Sequence, residues 1–238
     1  GTYNLPPGYW SDESSILLNA TQQFIETDIS SDSLLKGLKE WYYAGTWTST
    51  DELIEINEAT RLAIESFASK MPHNMKMINE NIENGSDLLG VTIPATFLNL
   101  GKSDITYIPR LYSRMTKNIH ISPITTMGLS LLHITLLGIL KGAEFSTILR
   151  GTKQFFENNF SEKPFKTHLK KFEFILNSKC RNKDQLKSNQ SIFNILECTF
   201  WSFKNSSGFS EAVLNAVNLG QQTDTVAAAT GALAGAFY

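Results

Sequence analysis

Apolar residues recur every three to four positions over most of the chain. Ile16, Leu17, Ala20 and Phe24 fall on one helical face, as do Leu34, Leu35, Leu38, Trp41 and Tyr42. Leu53, Ile56, Thr60, Ala63 and Phe67 repeat the spacing, and so do Leu169, Phe172, Ile175 and Leu176. A further stripe joins Ile192, Ile195, Leu196, Thr199, Phe200 and Phe203. Each set predicts an amphipathic helix with one face turned to a core. Alternating fragments such as ITYIPR and VTIPATF are short and carry Pro109 or Pro94. Those prolines suit a loop or the first turn of a helix better than a sheet interior, where a missing N–H breaks the ladder. No fixed-period repeat is visible and no Gly/Ser-rich linker divides the chain. The pattern predicts an all-α fold, a single-domain helical bundle over residues 1–238.

The segment from Val226 to Tyr238 departs from amphipathic patterning, being Ala and Gly with a few larger apolar side chains. Gly231 and Gly235 are four apart, so they share a helix face on which a neighbour could approach closely. This predicts a central, nearly fully buried helix. Just before it stand Gln221, Gln222, Thr223, Asp224 and Thr225. Residues two apart on a helix point to nearly opposite sides, so Gln222 and Asp224 could share a ligand only from a loop. The helix is therefore expected to start near Val226. Thr and Asp at such a place are also ordinary caps for the exposed N–H groups. Ser11, Asp12 and Glu13 precede the first amphipathic helix in the same way, and they too read as an acidic cap. Taken together, the two clusters offer what a hard cation needs. Mg²⁺ takes about six oxygens near 2.1 Å, more than either loop supplies alone.

Composition narrows the partners. The chain has 238 residues, 42% of them apolar and 18% charged, which describes a folded protein with a sizeable core. Twenty-one basic residues against 23 acidic ones leave a net charge of −2, so no overall field favours nucleic acid or an anionic membrane. Lysines between Lys163 and Lys187 punctuate an apolar helical pattern and read as a solvated helix face. Cys180 and Cys198 have no zinc-ligand spacing around them, which suits a reducing, cytoplasmic setting. The longest apolar run, residues 127–140, contains His133 and falls short of the ~20 residues that span a bilayer. No signal-peptide pattern opens the sequence, although it begins at Gly1 without a Met.

The two oxygen clusters also carry a resemblance. GYWSDESSILL resembles the G-x-W-T-D-D-T segment of the ADP-ribosylglycohydrolase family, which includes the dinitrogenase reductase-activating glycohydrolase. NLGQQTDTVAAATGALAGAFY is similar to that family's G-G-D-T-D-T-x-A-A-x-x-G-A-x-A-G-A-x-Y. ENGSDLL, followed by Pro94, resembles its Gly-Asn-Gly-Ser substrate loop, and IHISPITTMG resembles its T-H-x-x-P helix start. The resemblance implies the all-α fold of that family and cleavage of the glycosidic bond between ADP-ribose and a protein side chain, commonly arginine or serine. It implies one or two divalent ions, Mg²⁺ or Mn²⁺, and ADP-ribose or an ADP-ribosylated protein as partner. Matched residue by residue, the metal ligands fall on Ser11, Asp12, Glu13, Gln222, Asp224 and Thr225. Asp12 and Glu13 would be the catalytic carboxylates. Asn84, Gly85 and Ser86 would lie along the ADP-ribose with His120 nearby, His120 reading equally as a polar residue at a pocket edge. Asp51 and Glu52, outside these motifs, read as helix caps.

The departures from the family pattern matter too. Glu13 replaces an Asp and keeps its charge, whereas Gln222 replaces an Asp and loses it. Gln221 and Glu83 stand where Gly is expected, and two extra residues precede Pro94. The family's opening helix has no counterpart in this sequence, nor has the Gly that follows Tyr238, so the chain is expected to be an excerpt of a longer product. A working hydrolase holding at most one tight ion, a silent relative that binds ADP-ribose or a partner protein, and a purely structural role all remain open.

Overall fold

The computed structural model describes residues 5–70, 85–177, 179 and 181–238. Eleven α-helices and two 3-10 segments make up the regular structure of these residues, with no β-strand among them. The helices are α1 (Asp12–Glu26), α2 (Ser31–Ala44), α3 (Glu58–Ser69), α4 (Thr92–Leu98), α5 (Ile108–Thr116) and α6 (Pro123–Leu140). They continue as α7 (Phe145–Asn159), α8 (Lys166–Leu176), α9 (Ile192–Lys204), α10 (Phe209–Val217) and α11 (Thr223–Phe237). One 3-10 segment, Ser86–Val91, leads into α4, and the other covers Lys183–Gln185.

The core is organised by α6. It is apolar all round, and 83% of its residues are buried inside the protein. By length and composition α6 could cross a membrane, but its packing is that of a core helix, wrapped by α4, α5, α7, α9 and α11. Two glycines let neighbours come close: a Cβ at Gly128 would meet the Ile192 side chain of α9 at 2.8 Å, and one at Gly138 would meet Ile148 of α7 at 2.7 Å. His133, the titratable group in the apolar run, shares a 2.7 Å hydrogen bond through Nδ1 with the Tyr112 hydroxyl. Burial, helped by Lys102, lowers its pKa to about 4, so it sits in the core as a neutral ring.

Pro94 and Pro109 lie in the first turns of α4 and α5, where an N–H would have no intrahelical acceptor. Lys166 and Lys170 are exposed on α8, and Cys198 is a buried thiol pushed up to about 12 by burial and by Glu197.

Three local expectations are corrected. The apolar spacing that begins at Leu53 is not helical until Glu58, and residues 53–57 run without regular structure. Asp51 has a positive φ of 58° and caps nothing, nor does Glu52; Asn57 is the cap of α3, accepting from the Ala59 N–H at 2.9 Å. The last helix starts at Thr223 rather than near Val226, and it is half-covered rather than nearly fully buried. Ala228 and Gly235 are exposed, and α10 packs so that a Cβ at Gly231 or Gly235 would make ordinary contacts of 3.9 and 3.6 Å. Two of the tight crossings belong to α6, where only a missing Cβ brings another axis near, and Gly37 of α2 makes a third against Gln23 of α1 at 2.7 Å.

Candidate metal centre

The N-termini of α1 and α11 lie side by side. Ser11 is the N-cap of α1, and Asp12 and Glu13 are its first two helical residues. Gln222 is the N-cap of α11, and Asp224 and Thr225 follow in its first turn. Both first turns carry acidic side chains over exposed N–H groups, which favours each helix start separately. Their meeting is tertiary. The Thr225 hydroxyl donates a very short hydrogen bond to Glu13 Oε1, and the Ser11 hydroxyl donates to Glu13 Oε2 at 2.8 Å. Glu13 is thereby fastened at both oxygens, and it ties α1 to α11.

One oxygen from each of Asp12, Glu13 and Asp224 lies within 4.8 Å of the other two. Two unit charges at that separation repel by about 3.5 kcal/mol at an effective dielectric of ~20. Burial first, and then the charges of Glu13, Asp224 and Glu55, push the Asp12 carboxyl up to about 10. Burial and Glu13 likewise raise Asp224, against the Thr225 N–H, which donates to Asp224 Oδ1 at 2.9 Å. No lysine or arginine among the described residues offsets these charges. Three carboxylates crowded together without a cation are a site that a divalent ion fits, and the oxygen donor set suits a hard one.

The Gly85–Ser86 turn is linked to this cluster through the chain near residue 188. Gly85 adopts φ +105°, and a Cβ there would meet the Thr125 side chain at 2.7 Å. The Ser86 hydroxyl donates to the Gln190 carbonyl at 3.1 Å. Two residues earlier, the Ser188 hydroxyl donates to the Gly220 carbonyl at 2.6 Å, and the Ser188 carbonyl accepts from the Gln222 N–H at 3.0 Å. Segment 186–191 thus fixes both loops relative to each other. Gln221, Gln222, Asn189, Gln190 and Ser191 wall an open cleft between them. On the other side, Glu13 and Thr225 border a cavity of about 250 Å³ walled by Leu17, Leu89, Ile93 and the alanines of α11. Asn84 lies outside the described residues.

A sequence model of the ADP-ribosylglycohydrolase family matches residues 1–238. The chain belongs to that family. It is 25% identical over 256 residues to the ADP-ribosylarginine hydrolase Tri1 of Serratia proteamaculans (strain 568), and 24% identical over 243 residues to the same-named protein of Pseudomonas putida (strain GB-1). All of the chain is covered in both cases, and it spans 62% and 61% of those relatives' lengths. A solved chain described as an ADP-ribosylglycohydrolase-related protein complex superposes with a TM-score of 0.74 at 22% identity, covering all of this chain and 74% of that one. The all-α fold is that of the ADP-ribosylglycohydrolases.

Within this family member, His120 is not at an open pocket edge. It is 1% exposed, with Nε2 3.5 Å from Asp87 Oδ1 and 3.5 Å from the Thr60 hydroxyl. The Thr60 hydroxyl in turn donates a very short bond to Asp87 Oδ2. Burial pushes the Asp87 carboxyl up, but the His120 ring and the Thr60 hydroxyl outweigh it and hold the group below the usual range. The Thr60–Asp87–His120 cluster braces the Ser86 turn against α3 and the start of α6. Neither Asp87 nor Glu55, whose charge bears on Asp12, was singled out from sequence. Glu55 sits in the non-helical stretch before α3, and its one visible signal is the acidic residue that recurs in DELIE.

Proposed function

We propose that this protein hydrolyses the glycosidic bond joining ADP-ribose to an arginine side chain, with Mg²⁺ or Mn²⁺ held by Asp12, Glu13 and Asp224 beside the Ser11 and Thr225 hydroxyls. The observation that carries the reading is the convergence of three carboxylates from helix starts more than 200 residues apart, uncompensated by any basic side chain described. A divalent ion at that point would supply the positive charge that orients the ribose oxygens and the attacking water. Beside such a charge Asp12 would be ionised at neutral pH, placed to take a proton from the attacking water and pass it to the departing guanidine nitrogen. Glu13 is the ligand held most firmly in place, since the Ser11 and Thr225 hydroxyls each donate to one of its oxygens and leave a lone pair on each. Asp224, at the start of α11, completes the ligand set and places negative charge opposite the oxocarbenium-like carbon. Gly85 and Ser86 line the ADP-ribose, with His120 holding their turn in place. The arginine linkage rests on the two relatives named as ADP-ribosylarginine hydrolases.

One observation favours a second reading, a relative that binds ADP-ribose without turning it over. Gln222 puts a neutral carboxamide where the family pattern carries an Asp, which weakens one cation position. Release of ADP-ribose from ADP-ribosylarginine, measured with Mg²⁺, with Mn²⁺ and with EDTA, decides between them. Release that depends on the divalent ion and disappears in Asp224→Asn supports hydrolysis. No release under any condition, with ADP-ribose still bound in a calorimetric titration, supports the second reading, and loss of both refutes the two together.

A further inference from the structure

A second polar cleft lies away from the carboxylates, between the start of α2 and the outer face of α5. It encloses about 250 Å³. Tyr107, Arg110, Arg114 and Lys117 all wall it, and their spacing of three, four and three residues puts them in one stripe along α5. Facing that stripe is the N-terminus of α2, a helix of 14 residues. The Ser30 hydroxyl caps the Ser33 N–H at 3.1 Å, which leaves the N–H groups of Ser31 and Asp32 with no intrahelical acceptor. The positive end of one helix therefore looks onto three cations of another.

Two side chains in the wall carry a hydroxyl with no hydrogen-bond partner among the described residues. Ser31 is 2% exposed, and its hydroxyl has no partner among the described residues. The Tyr107 hydroxyl is also withdrawn from solvent without a partner, although its ring is fixed by Lys102, 4.4 Å from the ring centre, and by the edge of His133. A buried hydroxyl left unpaired costs about 1–3 kcal/mol, which makes the Ser31 hydroxyl, at the helix start in the wall, the one that gains from an acceptor; the Tyr107 ring turns toward His133 and Tyr112. Asp28 and Asp32 are the acidic groups in the wall. Asp28 is already engaged: the Ser33 and Ser30 hydroxyls donate to its Oδ1, and Arg114 faces it. Asp32 sits over the helix start. Arg110 and Lys117 make no ion pair among the described residues, so the lining retains a net positive charge of one, three cations less two carboxylates.

We infer that this cleft binds a phosphate group, presented by Arg110 and Lys117 to the Ser31 hydroxyl and the free N–H groups of α2. A tetrahedral anion has oxygens enough to satisfy a hydroxyl, amides and a guanidinium at once, which a planar carboxylate has not. The volume is below that of sites for drug-sized ligands, which begin at roughly 300 Å³, so the phosphate is either the free ion or the head of a small phosphomonoester.

The test is calorimetric titration of the full chain with inorganic phosphate and, separately, with ribose 5-phosphate. EDTA is present throughout, so that no metal at the carboxylate cluster can hold either probe. Saturable binding that weakens about three- to tenfold in Arg110→Gln, in Lys117→Gln and in Ser31→Ala supports the inference. Tighter binding of ribose 5-phosphate identifies a phosphomonoester site, and equal binding identifies a site for the free ion. The two glutamine variants change exposed side chains, so unchanged circular dichroism separates loss of binding from loss of fold. Absence of saturable binding of either probe, or binding that all three variants leave within about twofold, overturns the inference. ADP-ribosyl hydrolysis plays no part in this readout.

Discussion

Asp12→Asn isolates the electrostatic strain at the carboxylate cluster. Asn keeps the size of a protonated Asp and cannot ionise. In the unfolded chain Asp12 releases its proton near 3.8, whereas burial and its carboxylate neighbours hold it in the fold up to about 10. A folded pKa raised in this way means a contribution to stability that is complete below pH 3.8 and is lost progressively as pH rises toward 10. From 3.8 to 7 the loss amounts to about 4 kcal/mol, at about 1.4 kcal/mol for each pH unit. The repulsion of two charges 4.8 Å apart, about 3.5 kcal/mol at a dielectric of ~20, is of the same size. The variant escapes that loss. Solvent relaxation around a half-buried group trims the gain, so metal-free Asp12→Asn should be about 2–4 kcal/mol more stable than the wild type at pH 7.

Urea denaturation in EDTA at pH 4, 5.5, 7 and 8.5 measures the difference directly. The gap should be close to zero at pH 4 and widen at each step. Mn²⁺ should then narrow the gap: at a hundred times its Kd it stabilises the wild type by about 2.7 kcal/mol, while the variant has lost a ligand and gains less. An Asp12→Asn protein that matches the wild type at pH 7 in EDTA, or a gap that does not grow with pH, would show that the cluster is not strained and has no need of a cation.

Gln222→Asp should raise the number of Mn²⁺ ions bound per chain, counted by calorimetry, because it returns a charge to the N-cap of α11 beside Asp224; an unchanged count shows that Gln222 lies outside the ligand set. Gln221→Gly should stabilise the protein by about 0.5–1 kcal/mol in urea. It relieves about 1–2 kcal/mol of left-handed strain at φ 56°, less about 0.5–1 kcal/mol for the entropy a glycine loses on folding. Gly85→Ala should cost about 1–3 kcal/mol in the same assay, since φ is +105° and the new Cβ would lie 2.7 Å from the Thr125 side chain. A neutral outcome there would mean that the turn can shift away from α6.

The helices at α1, α2, α8 and α9 were legible in the sequence because each buries one stripe, and burial of a stripe is what periodicity measures. The apolar spacing from Leu53 reads as helix because Leu53 and Ile56 also pack against the core, from a backbone without regular structure. Apolar spacing records that a side chain faces inward, not the backbone that delivers it. The glycines show the same limit. Gly231 and Gly235 sit among alanines and look like the close crossing, yet a Cβ would make only ordinary contacts there, whereas it would collide at Gly128 and Gly138, hidden in the apolar run of α6.

The candidate site divides along a similar line. Asp12, Glu13 and Asp224 could be read from sequence because each belongs to a short run of oxygen-bearing side chains at a helix start, where capping already explains its presence locally. What no local pattern contains is their encounter. The Thr225 bond to Glu13 spans 212 positions, and the Thr60–Asp87–His120 cluster draws on three separate elements. Capping and metal binding are therefore not rival explanations of the SDE and TDT runs. Neither N-cap, Ser11 or Gln222, makes a side-chain cap bond, so what favours each loop in isolation is acidic charge at a helix start, and that leaves unexplained why two such starts should be set against each other at a separation that pushes Asp12 up to about 10. A fold under selection for stability alone would have separated them or placed a lysine between. The proposed function gives these acidic groups a partner that arrives from solution, and the oxygen donors of Asp12, Glu13 and Asp224 fit a hard divalent cation.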